Sequence, residues 1–315
     1  MNSDFEKDVL EGLSVSPKQI PSKYFYDKRG SELFVEIMKT DEYYVTNAEM
    51  DIFKHKSASL LDGLSLDQNK KYEIIELGAG DGSKTVHLLK EMLDQNYTFD
   101  YIPIDISIDA LKGLEKRLSL ELSQLSINIQ EGEYFSILNR LKENKKAKVI
   151  LFLGSNLGNL TDDQSADFIH ALGEALNKND KILLGLDLIK SRQIVLPAYN
   201  DKGGVTANFN LNLLTRMNRE LGADFNIDNF FHRPEYSEEE GIARSYLVSK
   251  ISQDVYIEKL DKRFHFKKDE RMQTEMSRKY NLDIINKILS KTDFQISYTI
   301  YDNKKLFANY IITRL

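Results

Sequence analysis

The chain has 315 residues, a formal charge of -6 and no cysteine. That length can bury a substantial core and is enough for two lobes. The missing cysteines exclude a disulfide framework and thiolate chemistry, the negative balance argues against a broad nucleic-acid footprint, and no apolar run reaches bilayer-spanning length.

In chain order, the charged start around Asp4-Phe5-Glu6-Lys7-Asp8 is unlike a signal peptide, so a cytoplasmic protein is expected. Phe5, Val9, Leu10 and Leu13 share one side of a predicted helix, and Pro17 and Pro21 then hold the chain extended as far as Lys23-Tyr24-Phe25-Tyr26-Asp27. Gly30 and Ser31 open a second helix over 32–38, Asp41-Glu42-Tyr43-Tyr44 forms a loop, and one longer helix is predicted from Asn47 past Phe53 toward Leu61. Two tyrosine clusters therefore precede the first buried strand.

That strand lies around Ile74 and Ile75 and runs through Glu76-Leu77-Gly78-Ala79-Gly80-Asp81-Gly82-Ser83-Lys84 into an amphipathic helix over 86–93. Gly78 and Gly80 let the backbone turn where a side chain would meet a ligand, and the helix start offers unpaired amides. The dinucleotide version of this turn needs a third glycine where Ser83 stands; Gly82 comes one residue early. A second strand, 101–105, ends in Asp105, about 25 residues beyond the glycines, where Rossmann-like folds place a carboxylate on ribose hydroxyls. After a helix over 108–122 and a strand over 127–130, the turn Gly132-Glu133-Tyr134-Phe135 sets an acid beside an aromatic ring, a pair that could bond and stack an adenine.

The clearest buried strand is 148–153, and it leads into the polar, glycine-framed loop Gly154-Ser155-Asn156-Leu157-Gly158-Asn159-Leu160. Active sites of open parallel sheets lie beyond the carboxyl ends of the central strands, so substrate chemistry is expected at this loop. Thr161-Asp162-Asp163-Gln164 reads as a helix cap leading into 168–176, and 182–187 reads as the fifth strand. The alternation of strand and helix predicts a parallel sheet with right-handed crossovers.

After Ile189 the pattern changes. A loop over 197–204 precedes a long helix over 205–221, and the alternating segments 243–252, 255–260 and 263–266 predict antiparallel strands. Met272 to Ser277 leads to a helix over 282–289, and two strands, 294–301 and 306–313, close the chain as a hairpin. His55, His87, His170, His232 and His265 show no metal-ligand spacing, so no metal is expected, and Lys142-Glu143-Asn144-Lys145-Lys146 reads as a solvated loop.

The Glu-x-Gly-x-Gly turn after a strand resembles that of class I S-adenosylmethionine-dependent methyltransferases. A longer series resembles one family among them, the histidine-specific N-alpha-methyltransferases of the ergothioneine pathway. Its members are Pro21-Ser22-Lys23-Tyr24-Phe25-Tyr26-Asp27, Asp41-Glu42-Tyr43-Tyr44, Glu76-Leu77-Gly78-Ala79-Gly80 and Phe152-Leu153-Gly154-Ser155-Asn156-Leu157-Gly158-Asn159-Leu160-Thr161. It continues with Leu184-Gly185-Leu186-Asp187-Leu188, Ala198-Tyr199-Asn200-Asp201, Gly204-Val205-Thr206-Ala207-Asn208-Phe209-Asn210 and Thr274-Glu275-Met276-Ser277. The segments keep the family's order across nearly the whole chain.

The resemblance implies an α/β fold: a Rossmann-like methyltransferase lobe, 53–189 with 279–315, and a smaller α+β substrate lobe, 1–52 with 190–278. It implies that Gly78, Gly80, Lys84, Asp105, Glu133 and Tyr134 hold S-adenosylmethionine. Tyr26, Tyr43, Asn159 and Tyr199 would surround the amine and carboxylate of L-histidine, and Glu275 and Ser277 its imidazole. One departure bears on specificity. Family members carry a methionine in the strand corresponding to 242–247, where this chain has Arg244 and Ser245.

The residue types suit the chemistry. A methyl sulfonium is already an activated electrophile, so the enzyme has only to align an unprotonated nitrogen and keep water out. Tyr26 and Asn159 are the catalytic candidates: a phenol through water, or bulk solvent, can take the amine's proton, and Asn159 can accept from the amine without adding a charge that would hold it as ammonium. Tyrosine faces attract a growing quaternary cation by about 0.5 to 2 kcal/mol each. The expectation is therefore a monomeric, cytoplasmic enzyme without nucleic-acid or membrane partners that trimethylates the alpha-amine of histidine to hercynine. The alternatives are methylation of another amino acid or small amine, and a non-catalytic S-adenosylmethionine-binding protein. A base-amine methyltransferase is disfavoured because Gly154-Ser155-Asn156 stands where such enzymes carry Asn or Asp, two prolines and an aromatic.

Overall fold

A computed structural model describes residues 3–315, and its contacts divide the chain into two compact units. One comprises the chain up to Tyr44 together with Lys190–Lys279, the other Val45–Ile189 together with Tyr280–Leu315. The first division falls after Tyr44 rather than near Phe53. Glu49, Ile52 and Phe53 of helix Tyr44–His55 are fully buried, and Glu49 is bonded to Asn309 of the second unit's sheet and to Gly154 in the loop after strand Ala147–Phe152, so the helix belongs with that sheet. Lys279 likewise falls on the other side of the expected line, because it is bonded to Tyr199 and Ser277.

The second unit is built on an 8-stranded sheet. Lys71–Leu77, Thr98–Asp105, Ala147–Phe152 and Lys181–Asp187 run parallel. Phe307–Arg314 then pairs antiparallel with Lys181–Asp187, and Phe294–Tyr301 antiparallel with Phe307–Arg314. Thr98–Asp105 lies on one side of Lys71–Leu77 and Ala147–Phe152 on the other, so the strand order reverses at Lys71–Leu77. That reversal opens a crevice beyond the strand ends, where ligands of open α/β sheets bind. The parallel strands read as unbroken apolar runs because both faces are covered. Their core joins Ile75, Ile104, Ile150 and Leu184 to Ile169 and Leu172 of helix Asp162–Glu174 and to Ile285 and Ile288 of helix Leu282–Leu289. Thr161 and Gln164 form the expected capping box.

Three expectations in this unit need correction. The single helix predicted toward Leu61 is two, Tyr44–His55 and Ser57–Leu64, broken at Lys56. The strand expected over 127–130 is two short pairings, Ser126–Ile127 and Gln130–Glu131, on Thr98–Asp105. What reads as a turn at Tyr134 is the start of helix Tyr134–Leu141, whose buried Ile137 and Leu138 join the core. The run expected to be solvated, 142–146, is exposed except at the half-buried Asn144, and Lys146 pairs with Glu73 at 3.0 Å.

The first unit holds an antiparallel set, Phe230–Ser237, Ile242–Ser249 and Arg271–Arg278, with Lys18–Gln19 added parallel to the last, and a separate hairpin of Gln253–Ile257 and Lys262–Phe266. Glu258–Leu260, expected to continue a strand, is a 3-10 turn. Helix Val205–Leu221 packs Phe209, Leu213, Leu214 and Met217 into a core with Phe25, Leu33, Leu247 and Met272. Asp201 caps that helix, accepting from Val205 N at 2.9 Å and Thr206 N at 2.7 Å. Helix Arg192–Ala198, with Pro197 in its last turn, takes in the first two residues of the stretch expected as loop, 197–204, and Phe230–Ser237 is a strand the hydrophobic pattern does not announce.

Candidate active site

In the second unit, the glycine turn leaves the carboxyl end of Lys71–Leu77. Gly78 and Gly80 take φ of +69° and +55°, which L side chains rarely adopt, and the Gly78 amide donates to Ile104 O at 2.8 Å. The turn is anchored underneath by Glu76, 3% exposed, which accepts from Thr85 Oγ1 at 2.7 Å and from the Tyr101 hydroxyl. Burial pushes the Glu76 carboxyl up to about 7, against the pull of those two hydrogen bonds. Glu76 is thus the support of the turn, with both oxygens committed.

Asp105 ends the neighbouring strand and ties itself to the same turn, Oδ2 accepting from Gly80 N at 3.2 Å and Oδ1 from Ser107 N at 3.0 Å. Two ionised oxygens offer about four acceptor sites, so two remain for a ribose diol. A Cβ on Gly78 would stand 2.8 Å from the Tyr134 hydroxyl, whereas one on Gly80 would meet nothing within 4 Å. Tyr134 therefore lies against one end of the turn while the other end is open. Burial, with smaller contributions from Asp105 and Glu133, pushes the Tyr134 phenol up to about 12, so it stays neutral. Glu133 is exposed at the residue before helix Tyr134–Leu141. Gly78, Gly80, Asp105, Glu133 and Tyr134 thus come together at one edge of the turn, and this set fits the nucleoside end of S-adenosylmethionine.

Lys84 precedes helix Thr85–Asp94. Its ammonium is paired with the fully buried Glu49 carboxylate, which also accepts from Gly154 N at 2.9 Å and Asn309 Nδ2 at 3.4 Å. A Cβ on Gly185 would fall 1.9 Å from Glu49 Oε1, so that glycine is the space Glu49 occupies. The loop after Ala147–Phe152 is fixed by Ser155, whose N donates to Gly185 O at 3.0 Å and whose hydroxyl accepts from Asp187 N at 2.9 Å. Asn159 ends the 3-10 turn Asn156–Asn159 and is exposed.

In the first unit, Tyr26 and Tyr43 are brought to one ring. Tyr26 meets Phe34 edge-on at 5.6 Å and Tyr43 meets it edge-on at 6.1 Å. Tyr43 also packs against the cluster of Val195, Ala198 and Tyr199. Tyr199 is 9% exposed, and its hydroxyl accepts from Lys279 Nζ at 2.7 Å. Glu275 and Ser277 lie on strand Arg271–Arg278, opposite Ser245 and Ala243, so they share a face as the two-residue spacing requires. A bulge at Thr274 separates them from the strand's first half. Thr274 is buried there on Asn210 Oδ1 at 2.7 Å. Glu275 Oε2 accepts from Ser245 Oγ at 2.9 Å, and burial raises its carboxyl above the ordinary value. Arg244 takes the opposite face and pairs with Glu240 at 2.6 Å. Of Arg244 and Ser245, Ser245 is the one beside Glu275.

A family model described as histidine-specific methyltransferase, SAM-dependent, matches residues 5–314. The chain belongs to that family. A histidine N-alpha-methyltransferase of Mycolicibacterium smegmatis is 35% identical over 274 residues, covering 87% of this chain and 84% of that protein. An ergothioneine biosynthesis protein 1 of Schizosaccharomyces pombe is 28% identical over 98% of this chain, which spans 40% of that longer protein. A 4-dimethylallyltryptophan N-methyltransferase of Claviceps fusiformis is 26% identical over 62% of this chain and 57% of that protein. S-adenosylmethionine is the methyl donor of this enzyme family, and the fold class expected from the sequence is the one observed.

Among the described residues, no helix of this family member is long and apolar enough to cross a membrane. Two residues joined to the site escaped sequence reasoning, and both carried a signal. Glu49 falls on the apolar stripe of Val45, Ala48, Ile52 and Phe53, where an acid must find a partner. Lys279 continues the two-residue period of Glu275 and Ser277, which puts it on their face.

Proposed function

We propose that this chain transfers methyl groups from S-adenosylmethionine to the alpha-amino nitrogen of L-histidine, as far as N-alpha-trimethylhistidine (hercynine). The observation that carries the substrate reading is the carboxylate and hydroxyl of Glu275 and Ser277 on one face of a rigid strand, a pair that matches the two nitrogens of an imidazole. When bound, S-adenosylmethionine supplies a methyl sulfonium. Asp105 holds the ribose, Gly78 and Gly80 leave room for the backbone to approach, Glu133 and Tyr134 hold the adenine, and Lys84, steadied by Glu49, contributes its remaining ammonium donors. Tyr43 and Tyr199 bind the amino acid's polar end, Asn159 accepts from the neutral amine, and Tyr26 passes its proton to water.

The test is calorimetric titration with S-adenosylhomocysteine and L-histidine, separately and together, beside a turnover assay with labelled S-adenosylmethionine against all common amino acids. Histidine should be the preferred acceptor. Faster turnover of another amine would transfer the reading to that substrate, which Ser245 beside Glu275 makes the reading to weigh against histidine. Ligand binding without turnover would leave a binding protein. We further propose a monomer in the cytoplasm, which light scattering and cell fractionation test.

A further inference from the structure

The face that carries Glu275 and Ser277 holds a third polar side chain, Lys279, which is 1% exposed. Its ammonium donates to Ser277 Oγ at 2.9 Å and to Tyr199 Oη at 2.7 Å, and it stands 5.0 Å from the centre of the Tyr199 ring. An ammonium has donors only, so Ser277 must spend a lone pair on it. The hydroxyl proton of Ser277 is thereby left to be given to something else. A full positive charge one hydrogen bond away also penalises any second cation that would use the same oxygen.

We propose that Lys279 is a positioning residue that makes Ser277 a hydrogen-bond donor and so sets the pocket for the neutral imidazole, its N–H toward Glu275 and its bare nitrogen toward Ser277. This rests on the reading of Glu275 and Ser277 as the imidazole's partners. The surroundings agree with it. Glu275 keeps Oε2 on Ser245 Oγ at 2.9 Å, an arrangement in which the carboxylate accepts and the serine's proton is used up. Burial raises the Glu275 carboxyl, and the Ser245 hydrogen bond and the Lys279 charge oppose that rise. The other charged or titratable groups nearby have their own engagements. His232 Nε2 is bonded to the Tyr199 carbonyl at 2.9 Å, and Arg244 faces Glu240 on the strand's other side.

The experiment is nitrogen NMR of ring-labelled L-histidine bound to the full chain with saturating S-adenosylhomocysteine, at about pH 5, more than one unit below the ordinary imidazole pKa of about 6.5. The wild-type protein should show one protonated and one bare ring nitrogen at a pH where free histidine is mostly cationic. Lys279→Met should bind the ring with both nitrogens protonated. It should lower histidine affinity at neutral pH by about tenfold, with S-adenosylhomocysteine affinity within about twofold. A cationic ring in the wild type, or a Lys279→Met spectrum identical to the wild type's, overturns the proposal. If Lys279→Met does not fold, the wild-type spectrum decides by itself. Absence of any bound histidine would instead defeat the substrate reading and this proposal with it, an outcome distinct from histidine bound in the wrong protonation state.

Discussion

Replacing Glu49 by Gln keeps the shape of the side chain and removes only its charge. In the wild type this fully buried carboxylate takes the Lys84 ammonium, the Gly154 amide at 2.9 Å and the Asn309 amide at 3.4 Å. The amide oxygen of Gln can keep Lys84 and Gly154. Its NH2 then faces Asn309, whose own buried Oδ1 has no partner and can turn to accept it. What is lost is charge assistance, which separates a bond of about 1.5–3 kcal/mol from a neutral one of about 0.5–1.5. Setting the Lys84 ammonium against a neutral oxygen adds less than the about 3–5 kcal/mol typical of a broken buried pair, because its side chain keeps 21% exposure to water and its hydrogen bond. The expected net loss is about 2 kcal/mol, or a fall in Tm of roughly 4–8 °C for a unit of this size. Differential scanning calorimetry measures it. Titration with S-adenosylhomocysteine should show a parallel loss of about three- to tenfold as the charge that steadies Lys84 is removed. Stability within about 0.5 kcal/mol of wild type, with donor-analogue affinity unchanged, would refute the reasoning and make Glu49 a bystander.

Gly185→Ala places a Cβ 1.9 Å from Glu49 Oε1 and should cost about 3 kcal/mol in urea denaturation; Glu49→Ala in the same chain should recover part of that loss, and strict additivity would count against the clash. Glu76 has its folded carboxyl pushed up to about 7 from an ordinary 4.5, so between those values the folded state binds more protons than the unfolded one. Stability from this group is then greatest below about pH 4.5 and falls by about 3 kcal/mol toward pH 7. Glu76→Gln should remove that slope, and denaturation curves that keep it would assign the slope elsewhere. Glu275→Ala should weaken L-histidine binding at least about tenfold in calorimetry while leaving S-adenosylhomocysteine untouched; loss of both together would contradict the assigned role.

The sequence by itself determined what is written locally. Strand, glycine turn and helix from Lys71 to Asp94 follow from an apolar run, two glycines at positive φ and a helical period, and the cap at Thr161 follows from its Gln three residues on. The family segments named the candidate site residues because they keep their order along the chain. Only the tertiary structure decided partners far apart in sequence. Lys84 turns to Glu49, Ser245 rather than Arg244 reaches Glu275, and Lys279 joins Tyr199 to Ser277. The helix over Pro197 and the strand Phe230–Ser237 belong to the same class, since neither carries its own period. Periodicity and turn chemistry act over a few residues and can be read along the chain. The pairing of buried charges depends on which groups share a space without water, and that is settled only when distant segments are packed together.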